Sequence, residues 1–224
     1  MDSTTTPFPA STGSRPMLLT FDIFGTVVDW RRGLEEAARA AGVAVAPGDF
    51  DRVIDLQGAL EVEGSRSYAD ITAESLVKAL GVAPEAAARI GAEVGRWPLY
   101  PDARAGLRRL QALAPCVAMT NSDRAHGEQV QEQLGFRLSG WICAEELRLY
   151  KPDPGFWRTV AARRGVEQSA AWWHVSAYAD YDLDVAAGLG LTTVYVGRPH
   201  ARPGPATHAV RDLLELAALL EAAA

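Results

Sequence analysis

The sequence predicts a doubly wound α/β core, interrupted after its first strand by a helical insert. Three observations carry this. Met17 to Ile23 (MLLTFDI) is an apolar run without alternation, the pattern of a strand buried on both faces of a parallel sheet. Similar short runs recur through the second half of the chain, separated by amphipathic stretches. Between residues 31 and 96, several helical patterns follow one another with no strand among them.

Taken in order, residues 1–16 (MDSTTTPFPASTGSRP) are rich in Ser, Thr and Pro and have little to bury, which predicts a disordered lead. The core comprises residues 17–30 and 97–224, and residues 31–96 form the insert. Within the insert, helices are predicted over Arg32–Ala41, Phe50–Glu63 and Ala73–Leu80. Trp97-Pro98 and Tyr100-Pro101 mark the return to the core, because a residue before proline is steered out of helix. Strands follow at Cys116–Thr120, Trp141–Ala144, Trp172–Ser176 and Thr192–Val196. Helices are expected at Ala103–Ala114, Ala125–Leu134, Pro154–Arg164 and Leu183–Leu189, with a surface helix over Val210–Leu220. No internal repeat is present.

Composition narrows the class. The chain has 224 residues, 48% of them hydrophobic, enough for one large domain or a core with a small second one. The net charge of −6 carries no clustered basic excess, so no nucleic-acid partner is expected. The apolar runs are far short of a membrane span, and the N-terminus lacks a basic region followed by an apolar one. A cytoplasmic protein with no membrane partner is the expectation. Cys116 and Cys143 lie in strand-like stretches and read as buried free thiols. Of 22 basic residues only Lys78 and Lys151 are lysine, so a retained Lys marks a place where a compact ammonium matters.

Ligands of open α/β sheets bind beyond the carboxyl ends of the strands. The first strand closes in Asp22-Ile23-Phe24-Gly25-Thr26 and the second in Thr120-Asn121-Ser122-Asp123. Lys151-Pro152 opens a helix after the third, and the fourth closes in Ser176, followed by Asp180 and Asp182. An isolated Asp at a strand end is usually a cap. Here four ends deliver a carboxylate, a hydroxyl, an ammonium and a second carboxylate to one cleft. His174, inside an apolar strand, reads as a satisfied core histidine. His126 and Arg124 read as helix surface, and Trp30 and Trp97 as packing or a cleft wall at the two crossings.

With these residues in order, FDIFGT at 21–26, MTNSD at 119–123, YKPDP at 150–154 and HVSAYADYDLDVAAGLGL at 174–191, the chain resembles the haloacid dehalogenase superfamily. Residues 31–96 look like that family's helical cap. GTVVDW at 25–30 and Phe24 resemble the 2-haloacid dehalogenase branch. The resemblance implies a homodimeric hydrolase acting on a small molecule. Asp22 is then the nucleophile that forms a covalent ester, and Lys151 keeps it ionised. Thr26 and Thr120 hold substrate and the developing oxyanion, and Asp182 positions or deprotonates the water that opens the ester. Phe24, Asn121, Ser176 and Tyr178 line the substrate site. A buried charge pair supports a fold weakly, so losing Lys151 is expected to cost little stability.

Three departures shape the substrate reading. Family phosphatases carry an Asp two places after the nucleophile to protonate the leaving alcohol; here that place is Phe24, which suits halide. Counted back from the Leu-Gly-Leu end, the earlier acidic place of the fourth motif is Ala177, which weakens a magnesium site, although Asp180 is a stand-in. No metal or cofactor is therefore required. A Mg²⁺-dependent phosphatase is the alternative, with Asp22 and Asp182 as ligands, and a non-catalytic binding module is a third reading. The cap arginine that takes the substrate carboxylate in the dehalogenase branch falls on Leu56, leaving Arg52, Arg66 and Arg124 as replacements.

Overall fold

The structure is a computed structural model and describes residues 15–62 and 66–223. The predicted lead falls almost wholly outside the described residues, as does Glu63 at the end of one predicted helix. Six strands form one parallel sheet: β1 (Leu18–Phe21), β2 (Cys116–Thr120), β3 (Gly140–Cys143), β4 (Trp172–Ser176), β5 (Thr192–Val196) and β6 (His208–Val210). Their order is β3-β2-β1-β4-β5-β6. The chain turns one way from β1 to β2 and the other way to β4, which opens a crevice at the carboxyl ends of these three strands. The doubly wound α/β prediction holds.

Strand alternation explains why both faces are apolar. Leu19, Phe21, Ala118, Trp173 and Val175 point into one hydrophobic cluster, while Leu18, Val117, Met119 and Trp172 point into another. The first cluster is covered by α5 (Ala103–Gln111), α6 (Arg124–Leu134) and α10 (Leu213–Ala222). The second is covered mainly by α8 (Pro154–Arg164), through Phe156, Trp157 and Val160, with Ala144 of α7 (Ala144–Leu147) and Ala186 of α9 (Asp184–Gly188) beside them. Cys116 and Cys143 are buried and unpaired, as expected.

The expectation of a helix from Val210 is corrected. Val210 closes β6 instead of opening a helix, and α10 starts at Leu213, where Asp212 accepts the Glu215 N–H at 2.8 Å. His-Ala-Val is too short to show a period, so only the pairing with β5 reveals it as a strand.

Between β1 and β2 lie α1 (Trp30–Ala40), α2 (Asp49–Val62), α3 (Tyr68–Leu80) and α4 (Pro84–Ala92). The chain leaves and returns side by side. The Asp29 N–H bonds Pro98 O at 2.8 Å, Tyr100 N–H bonds Val27 O at 3.0 Å, and Val28 faces Leu99 in antiparallel fashion. Trp30 and Trp97 meet edge-to-face across this crossing, their centroids 6.1 Å apart. Asp123, at the carboxyl end of β2, accepts the Tyr68 and Ala69 N–H groups at 2.7 and 2.8 Å and so satisfies the first turn of α3. His126 bonds Gly91 O at 2.9 Å and is buried against Phe24 and Tyr68. It is therefore not on a helix surface; the insert covers the face that periodicity alone would leave to solvent. Arg124 is exposed, as expected.

Candidate active site

Asp22 follows β1 directly, and its turn is fixed by Gly25 at φ 93°, where a Cβ would collide with the Tyr178 ring. One carboxylate oxygen, Oδ2, accepts the Thr26 hydroxyl at 2.7 Å, and the other, Oδ1, accepts Lys151 Nζ at 2.9 Å. The same ammonium lies 2.9 Å from Asp182. Lys151 and Asp182 have no exposed side-chain surface, and Asp22 is 8% exposed. Ser176 donates to Asp182 at 2.8 Å, and the Ala177 N–H donates to Thr26 Oγ1 at 3.0 Å. His174 stays in the core with Nδ1 on Thr20, as expected, but its Nε2 also stands 3.8 Å from Asp182.

The charges divide unevenly. Burial pushes the Asp22 carboxyl up, against the pull of Lys151 and Thr26, and Asp182 pushes the same way. Asp182 is as deeply buried, yet Lys151 and His174 outweigh that and hold it down to about 2. Lys151 is itself raised: burial opposes its charge, but two carboxylates hold it cationic.

Above this layer is a cavity of about 340 Å³. Asp22 opens into it together with Phe24, Thr120, Asn121 and Tyr178, four of the residues singled out from sequence. Thr26, Lys151, Ser176 and Asp182 do not line it; they form the bed under Asp22. Thr120 donates its hydroxyl to Ser122 at 3.2 Å. Asn121 clasps the main chain of Lys151, donating to its carbonyl at 2.9 Å and accepting its N–H at 2.7 Å. Trp30 takes the cleft-wall role, and Trp97 packs behind it.

The opposite wall was missed. Ile54, Gln57, Gly58 and Glu61 of α2 all face the cavity, joined by Tyr68, Tyr181 and Arg202. Positions 54, 57, 58 and 61 share one helical face, so a Glu in step with Ile54 and Gln57 was the signal available. Asn121 donates to Glu61 at 3.1 Å and also meets the Tyr181 hydroxyl. Burial pushes the Glu61 carboxyl up to about 8, with Asn121 and Lys151 only partly offsetting it. The arginines proposed from sequence lie elsewhere: Arg52 pairs with Asp49 and Arg66 with Glu74, and Arg124 does not line the cavity.

A carboxylate held by an ammonium at the switch point of a parallel sheet, under a helical insert, defines a class of α/β enzyme-like fold. A protein-family model described as haloacid dehalogenase-like hydrolase matches residues 16–173, and the chain belongs to that family of hydrolases. The (S)-2-haloacid dehalogenase 4A of Burkholderia cepacia is 31% identical over 128 residues, 54% of each chain, so the match spans about half that relative's length. The crystal structure of the L-2-haloacid dehalogenase PA0810 superposes with a TM-score of 0.79 at 25% identity, covering 94% of this chain and all of the other. The defluorinating L-2-haloacid dehalogenase Rha0230 superposes at 0.78 and 24% identity, over 96% of this chain and all of the other, a likeness of fold.

Proposed function

We propose that this hydrolase cleaves carbon–halogen bonds of small 2-haloacids or related compounds, with Asp22 as nucleophile. The observation that carries the proposal is the Lys151 Nζ contact of 2.9 Å to Asp22, beside an apolar Phe24 where a proton donor for an alcohol would sit. In this reading the helices of residues 31–96 are a cap that closes the cavity and keeps water from competing. The Asp22 carboxylate attacks the halogen-bearing carbon; the new C–O bond forms as the C–halogen bond breaks, and halide leaves without a proton. Water then adds to the ester carbonyl. Asp22 is released as carboxylate, the hydroxylated product takes a proton from the water, and the second proton goes to solvent.

Asp182 is enclosed under Asp22 and does not line the cavity, and its carboxylate is taken up by Lys151 and Ser176, so in this reading it stands away from the attacking water. Its part is to hold Lys151 in place, with Ser176 and His174 behind it. Thr26 orients Asp22, and Lys151 with nearby strand-end N–H groups meets the charge that develops on the ester oxygen.

The phosphatase alternative would give Asp22 and Asp182 to Mg²⁺. Their oxygens already accept from Lys151, Thr26 and Ser176, a poor donor set for an ion that wants near-octahedral oxygen ligands. We therefore read the enzyme as cofactor-free. Among the described residues no helix is long and apolar enough to cross a membrane; the two free thiols fit a reducing cytoplasm, and a homodimer remains the assembly we propose. The deciding assay is halide release from 2-haloacids, and phosphate release from phosphate monoesters, each with and without a chelator. Halide release that survives EDTA is expected. Phosphate release that depends on Mg²⁺ overturns the reading.

A further inference from the structure

Glu61 sits in the reaction cavity with no role in the chemistry proposed for Asp22, and a role for it rests on the haloacid reading. It comes from α2, on the wall opposite the strand ends. Its Oε2 is anchored by Asn121 at 3.1 Å, which leaves Oε1 to the cavity. Neighbouring charges answer it only in part, Lys151 drawing its carboxyl down and Asp182 pushing it up. Lys151 is turned to Asp22 and Asp182, and Arg202, on the loop after β5, is half-exposed with Asp180 at 3.4 Å. The other cavity-facing titratable groups are Asp55 on α2, Tyr68 on α3, Asp22 after β1, and Tyr178 and Tyr181 after β4; Tyr150, before Lys151, and Asp182, under Asp22, also act on the same space. Burial raises the Tyr68 and Tyr181 hydroxyls, so both stay neutral.

An anionic substrate entering this cavity meets the charge of Asp22 and needs a donor at its own carboxylate. We infer that Glu61 determines specificity: it meets the carboxylate of the substrate through a hydrogen bond that lasts only while its own carboxyl holds a proton. One carboxyl then does with a shared proton what an arginine does with a fixed charge. Because burial pushes Glu61 up to about 8, the bond is present at neutral pH. Above that value Glu61 ionises and the same oxygen repels the substrate.

The test is the pH dependence of KM for 2-chloropropionate between about pH 6 and pH 9.5, in the wild type, Glu61→Gln and Arg202→Gln. A parallel calorimetric titration uses 2-hydroxypropionate, the hydrolysis product. Wild-type KM and Kd are expected to be flat on the acid side and to rise roughly tenfold per unit above the Glu61 titration. Glu61→Gln donates at every pH, so the rise disappears; Arg202→Gln retains it. If Glu61→Gln keeps the rise, or tightens binding already at pH 6.5, the inference is overturned. A rise lost in Arg202→Gln instead also overturns it. If halide is never released but 2-hydroxypropionate binding follows the expected pattern, the dehalogenase reading fails and the Glu61 inference stands. If the anion does not bind at all, the Glu61 inference fails.

Discussion

Lys151 Nζ lies 2.9 Å from Asp22 Oδ1, with the lysine side chain wholly enclosed. The same ammonium also serves Asp182, so one cation compensates two buried carboxylates. This reverses the sequence-based expectation about stability. Lys151→Met leaves two carboxylates facing each other in a dry bed, and removing the partner of a buried charge costs about 3–5 kcal/mol. The expected result is a Tm lowered by roughly 6–20 °C together with loss of turnover. Lys151→Arg keeps the charge but forces a wide fork into a slot shaped for a point-like head; turnover should fall roughly a hundredfold, with a smaller loss of Tm. Thermal melts and halide-release kinetics on both variants check this. Normal turnover in Lys151→Arg would mean that only the charge matters.

The acid limb of activity belongs to Asp22. The nucleophile must be ionised, and burial raises its carboxyl, so kcat should fall, as pH is lowered, above the usual carboxylate range. Stability carries the matching sign. Asp22 has a raised folded pKa, so keeping it ionised costs stability at neutral pH, a cost relieved as pH falls and it takes up a proton. Asp182 is depressed, so its contribution is present above the ordinary Asp value and is lost as pH falls through about 2. Asp22→Asn should therefore melt higher than wild type at pH 7, with the gap closing in acid. Melting curves of both proteins from neutral to acid pH read this out; a variant that melts lower at pH 7 would contradict it.

Asn121 acts on Lys151 from behind. Its amide both donates to and accepts from the Lys151 main chain, which sets where the ammonium stands. Asn121→Ala removes both bonds and leaves buried backbone groups unpaired, a loss of about 1–3 kcal/mol. The expected kinetic signature is a kcat lowered roughly tenfold or more, from the displaced ammonium, together with a raised KM, because Asn121 also anchors Glu61 in the cavity. Steady-state kinetics on the best substrate distinguish this from simple loss of a substrate contact, which would raise KM alone.

The legible parts were those encoded locally. Unbroken apolar runs marked five of the six strands, and each strand's closing polar residues pointed to Asp22, Thr120 and Ser176. The bed under Asp22 was legible as residue types but not as a layer: sequence could not show that Thr26 and Ser176 turn inward to Asp22 and Asp182. What was missed is non-local. Glu61 meets Asn121 sixty residues away, and Arg198 reaches Asp102 at 2.7 Å across the core, neither with a nearby signal. The chain between Ser176 and Asp184 passes through a π-turn over Ala179–Leu183, which a count from the Leu-Gly-Leu end cannot see.

The central claim is that Asp22 is alkylated by substrate, giving an ester, and released by water. It is tested most directly by turnover in heavy-oxygen water, followed by mass analysis of product and of the Asp22 peptide. With enzyme in excess and one turnover, the account predicts that the product carries ordinary oxygen, drawn from Asp22, and that the Asp22 peptide gains the heavy isotope. Heavy oxygen in the product of the first turnover, with an unlabelled Asp22 peptide, would show that water attacks the substrate directly and would contradict the account.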